Sequence, residues 1–199
     1  MSLRISKTLI KLIRWFCIAV WGFIVLSSLA YYLSDPSKFS AANISETILS
    51  LGHGALLSYL VLSLLRGFTL LPSTPLVLAG TLLFPGQPIL VLAISVLGII
   101  FSSAMIYFFS DLLGFSEYFS KSKPELTEKL KARLEHPLGS VFVALWAFFP
   151  FVPTDLVCYV AGTIRMNFLS FIIAIFVGET ILCVIYIFLG GSIFRHLLG

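Results

Sequence analysis

Ionisable side chains are scarce in this chain. Asp, Glu, Lys and Arg make up 11% of its 199 residues, against about 25% in an ordinary soluble domain. None of them, and no histidine, occurs in the 44 residues from Gly67 to Ser110. That composition excludes a water-soluble globule and implies a bilayer as solvent. A spanning helix uses about 20 residues at about 1.5 Å each, so this run crosses at least twice or enters and turns back. Cysteine is equally sparse. Cys17, Cys158 and Cys183 all lie in apolar stretches with no CxxC spacing, which argues against a disulfide framework and against a metal or other cofactor site. Catalytic signatures such as HExxH, GxSxG and the Walker motif are missing, and the three histidines are far apart. An enzyme is therefore the weaker expectation.

The net charge of +4 resides in Arg4, Lys7, Lys11 and Arg14, because the remaining nine basic and nine acidic residues cancel. A basic flank of this kind is retained on the cytoplasmic side and suits anionic lipid headgroups. Nothing in it points to nucleic acid. Residues 15–33 form a retained anchor, since the apolar stretch is longer than the roughly 7 to 15 residues of a signal-peptide core. The polar segment 34–46 reads as an extracytoplasmic loop. Residues 47–65 are expected to make a second full span that returns to Arg66, read as an interfacial flank.

Proline then interrupts the apolar pattern twice. Pro72-Ser-Thr-Pro75 precedes Ala79-Gly80-Thr81, and Pro150-Phe-Val-Pro153 precedes Ala161-Gly162-Thr163, each leading into a long apolar helix at 88–110 or 167–190. Proline removes a backbone donor and clashes with the preceding turn, so neither segment is a continuous helix. Freed backbone groups in a bilayer must be met by protein or water, which predicts two re-entrant hairpins. Paired, proline-interrupted segments at matching positions of two halves are the sequence mark of a transporter-like binding site. Between the halves, residues 111–136 carry five acidic and five basic residues with Leu126, Leu130 and Leu134 four apart. This tract reads as an amphipathic helix whose leucine stripe rests on the membrane.

Through these motifs the chain resembles the DedA-like, VTT-domain superfamily, also called the SNARE-associated Golgi protein family. The resemblance runs over roughly residues 45–192. It rests on Leu71 to Gly80, on Phe149 to Gly162 with Tyr159, and on Phe168 and the closing Tyr186 to Gly190. It implies hairpins meeting within the membrane and a role in moving lipids or in membrane homeostasis.

The expected fold is all-α and integral to the membrane, with about four transmembrane helices plus two re-entrant helical hairpins in an inverted repeat. Residues 1–46 form the anchor and loop and 47–199 the membrane domain, with halves at 47–113 and 137–199 and a connector at 114–136. Both termini are placed in the cytoplasm and the connector outside. The competing arrangement is six plain spans with the connector inside. For a bacterial chain the compartment is the plasma (inner) membrane.

Three ionisable residues lie in or beside the apolar segments of the second half: Asp155, Glu179 and Arg165. A charge at mid-bilayer costs about 2.5 to 3.5 kcal/mol on insertion scales, so each should face protein or a water-filled cavity. Asp155 and Glu179 are candidate proton carriers and Arg165 a candidate transport residue. Their structural alternatives are a helix cap, an interhelical hydrogen-bond partner and an interfacial anchor respectively. Pro72, Pro75, Gly80, Pro150, Pro153, Tyr159 and Gly162 are expected to shape the hairpins. Membrane lipids with an anionic headgroup are the expected partners, with proton coupling through the carboxylates; the alternative is a non-transporting scaffold. Homo-oligomerisation is left open.

Overall fold

A computed structural model describes residues 7–69, 73–113, 115–122, 124–150 and 152–190. Every regular element among them is helical and no strand occurs. Among the described residues three helices are long and apolar enough to cross a membrane: Arg14–Ser34, Pro88–Ser110 and Phe168–Leu189. The first belongs to α1 (Lys7–Ser34), the second to α5 (Pro88–Leu112), and the third joins α10 (Phe168–Val184) to a wider helical turn at Ile185–Leu189. Phe16, Phe23 and Leu26 on α1 stand exposed, an arrangement that suits hydrocarbon and not water.

The continuous span expected over 47–65 is not formed. The chain makes α2 (Ala41–Ser50) and α3 (Ala55–Leu65), separated by a tight turn at Gly52–Gly54. Gly52 has φ +74°, a conformation that costs glycine little and most other residues considerably more, so the helical ladder breaks there. α2 starts inside the segment read as a loop because Ser40 caps it, accepting a hydrogen bond from the Asn43 amide at 3.3 Å.

Four short helices surround the proline motifs. α3 is followed by a turn at Arg66–Thr69 and then α4 (Thr74–Leu83), while α8 (Pro137–Phe148) breaks before α9 (Thr154–Thr163). Each is 10 to 12 residues long, which gives about 15 to 18 Å, roughly half the hydrocarbon thickness of a bilayer. The second break is held locally by the Trp146 indole N–H, which donates to the Pro153 carbonyl at 3.4 Å. In the first, Thr69 donates back to the Arg66 carbonyl at 2.6 Å.

Small residues let these helices approach one another. Gly98 of α5 lies against Ser63 of α3, Gly162 of α9 against Ser110 and the Tyr107 carbonyl of α5, and Gly178 of α10 against the Ala144 carbonyl of α8. A Cβ at Gly162 or Gly178 would collide with backbone, so both positions require glycine for packing. α5 is common to both sets of helices, packing against α3 and α4 on the one hand and α9 and α10 on the other.

The charged tract forms α6 (Phe115–Ser122) and α7 (Pro124–Glu135). Two of its leucines do not rest on the membrane as expected: Leu134 is buried, and Leu130 packs on the same core, which includes Val143 of α8. The Leu126 side chain lies outside the described residues. Arg14 of α1 donates to Glu117 of α6 at 2.9 Å, so the tract sits beside the amino-terminal end of the anchor.

Candidate functional site

The two proline breaks bring charges of opposite sign together. Arg66 lies in the turn after α3 and Asp155 in the first turn of α9. A guanidinium nitrogen of Arg66 stands 3.7 Å from Asp155 Oδ2, with the side chains 8% and 1% exposed. One residue before Asp155, the Thr154 hydroxyl donates to Glu179 Oε1 of α10 at 2.5 Å. Glu179 is also buried. One guanidinium thus pairs with Asp155, a second buried carboxylate stands beside it on Thr154, and the cluster is not saturated. Both Asp155 oxygens, Glu179 Oε2 and Arg66 Nη2 are buried without a hydrogen-bond partner. A buried charge set of this kind repays its desolvation only with good geometry and full hydrogen bonding, so it is a poor device for stability and a good one for binding.

Arg66 and Thr154 reach the wall of a cavity of about 470 Å³. Pro75 bounds it from the first break, Pro150 and Pro153 from the second, and Tyr186 from the end of the last helix. Thr74 donates to the Tyr186 hydroxyl at 3.5 Å. Tyr32, Ser40 and Ala41 line the cavity where the chain leaves α1. Asp155 and Glu179 do not line it; they stand behind Arg66 and Thr154. The cavity therefore presents hydroxyls, a guanidinium and the start of α9, whose free amides and dipole favour negative charge.

The remaining sequence candidates divide by role. Gly80 lies outside the cavity and admits the Tyr59 hydroxyl, which bonds Ser95 at 2.9 Å. Gly162 serves the α9–α5 contact described above. Tyr159, one turn beyond Asp155, packs its ring 5.2 Å from that of Trp21. Arg165 is not brought into the site: it is exposed in the turn between α9 and α10, with φ 54°. Pro72 lies outside the described residues. Arg66 and Thr154 were missed. The available signal for Arg66 was that no other Lys or Arg occurs between Lys38 and Lys121.

The long apolar helices, the broken short ones and the charge cluster between them define an integral membrane protein. The VTT-domain family model matches residues 71–192, more than half of the chain. The protein belongs to that family, the DedA/SNARE-associated Golgi group. No curated protein and no solved structure gives a match. Arg66 falls just before the matched stretch, whereas Asp155 and Glu179 lie within it.

Proposed function

We propose that this protein moves a phosphate-bearing lipid headgroup between leaflets, with Arg66 as the anion contact. The observation that carries the reading is the Arg66 guanidinium at the cavity wall, tied to Asp155 by a long contact and holding one nitrogen without a partner. That nitrogen is buried, so a phosphate in the cavity would gain the charge-assisted bond only as Arg66 turns away from Asp155, while the acyl tails stay in lipid. Asp155 and the phosphate compete for Arg66. A proton delivered to Asp155 removes its claim, so anion and proton would load together, with Glu179 held ready through Thr154. The role is one of transport and not of catalysis.

The membrane arrangement we infer is three crossings, α1, α5 and α10, with two re-entrant pairs, α3–α4 and α8–α9, entering from opposite faces. Tyr59 and Gly80 stand about equally far from the first break and touch, which supports a chain that turns back. Val160 of α9 shares a groove with Leu138 and Phe142 of α8, which supports the same for the second pair. The contact of Arg14 with Glu117 supports putting the charged tract on the face of the amino terminus, the cytoplasmic one by the positive-inside rule. Three crossings then deliver residue 190 to the opposite face, where a fourth span would have returned it to the cytoplasm. In a bacterial cell this is the inner membrane. With the native cysteines replaced, single cysteines at Ser122 and Lys131 should label from the same side as one at Leu12; labelling from the other side contradicts the arrangement.

The transport reading is tested with purified protein in liposomes carrying a leaflet-specific labelled phospholipid or polyprenyl phosphate, with and without a pH gradient. Flux above protein-free liposomes is expected. Flux at the protein-free level for every lipid class overturns the reading in favour of a scaffold.

A further inference from the structure

A second concavity lies away from the charge cluster, between α7, α8 and α9. It has a volume of about 440 Å³ and is walled by Leu130, Leu134, Leu138, Phe142, Trp146 and Val160, among other apolar side chains, with Arg133 the one charged residue among the described ones that line it. Gly139 fixes its shape, because a Cβ there would meet the carbonyls of Arg133 and Leu134 and push α7 off α8. Arg133 is exposed and forms no ion pair among the described residues. From Leu138 to Trp146 the groove follows α8 for eight residues, about 12 Å, running from the charged tract toward the second break. It therefore has a cation at the membrane face and an apolar trench leading inward.

We propose that this groove is a binding site for an anionic phospholipid, with one acyl chain lying along α8 and the phosphate on Arg133. Charge complementarity selects the occupant. A zwitterionic lipid fills the trench as well but brings a positive group to the mouth, whereas an anionic headgroup meets Arg133 with Lys129 one turn earlier on the same face of α7. The site does not depend on the transport reading, because Arg133 belongs neither to the cavity nor to the buried charge cluster. A lipid held there would brace α7 against the second broken pair.

Native mass spectrometry of the full-length protein in detergent, after delipidation, tests this with phosphatidylglycerol and phosphatidylcholine of identical acyl chains. Phosphatidylglycerol is expected to bind about fivefold more tightly, the preference one basic residue gives at an anionic surface. Arg133→Gln should abolish the preference and Arg133→Lys retain most of it. Val160→Trp, which fills the trench, should weaken both lipids, with the wild-type melting profile reporting that the variant is folded. Equal binding of the two lipids by the wild type, or a preference that survives Arg133→Gln, would overturn the proposal.

Discussion

The two proline breaks share a plan and divide the chemistry. The first, after α3, contributes a cation, Arg66; the second, at the start of α9, contributes Asp155 and, through Thr154, reaches Glu179. Neither half satisfies its own charge. In lipid an unpaired guanidinium or carboxylate is costly, so each half completes the other, and separating them exposes charge on both sides. Two broken segments of this kind are alike in their short helices and complementary in charge, and the cavity between them is lined by the cation that the carboxylate of the other segment holds.

The largest effect should follow from removing one side of that pair. Arg66→Gln leaves Asp155 buried without compensation and is expected to cost about 3 to 5 kcal/mol, read as a lowered thermal midpoint in detergent. Adding Asp155→Leu should recover most of the stability. If the single variant melts like wild type, the pair is not the link between the halves.

Next in size come the glycines that seat each broken pair. Gly162→Ala drives a methyl into the Tyr107 carbonyl, whereas Gly80→Ala meets the Tyr59 ring end and a Val91 methyl. Overpacking costs about 1 to 3 kcal/mol, and the backbone clash should be the worse of the two because a carbonyl held in a helix cannot swing away. Equal midpoints for the two variants would show that the second pair is no tighter than the first.

A smaller effect concerns how the charged tract is tied to the anchor. Arg14 donates to Glu117 and holds its carboxyl below the ordinary value of 4.5, with Arg14's charge adding to the hydrogen bond. A depressed folded-state value means that the pair stabilises the fold above that ordinary value and that the benefit disappears as pH falls through the lower folded one. The midpoint of wild type should therefore fall more on acidification than that of Arg14→Gln, and salt should narrow the gap. Parallel pH profiles would show that the contact contributes nothing.

Smallest of all is Arg165, which occupies a left-handed turn position at φ 54°. Arg165→Gly relieves that strain but removes a charge that attracts Glu117, so the net change in stability should stay within about 1 kcal/mol. Flux should be unchanged. Lost flux would return Arg165 to the functional residues.

Local features were legible in the sequence, and contacts between distant segments were not. The prolines announced both breaks because they act on their own backbone, the apolar runs announced the three long helices, and the motifs around the breaks announced the family. The span at 47–65 failed because Gly52 and Gly54 were weighed less than the hydropathy around them. Reading that span as continuous is also what turned Arg66 into an interfacial flank. Its partner is 89 positions away, and no periodicity within either segment encodes that meeting. The contact of Arg14 with Glu117, which bears on the side of the membrane taken by the charged tract, is likewise nonlocal.

The account turns on Arg66 being the anion contact and Asp155 its competitor. The most direct measurement is lipid flux in liposomes holding equal amounts of folded wild type, Arg66→Gln with Asp155→Leu, and Asp155→Asn, each with and without a pH gradient. The wild type should respond to the gradient, Asp155→Asn should transport without responding, and the variant lacking Arg66 should fall to the protein-free level although it is folded. Full flux from that last variant would contradict the claim.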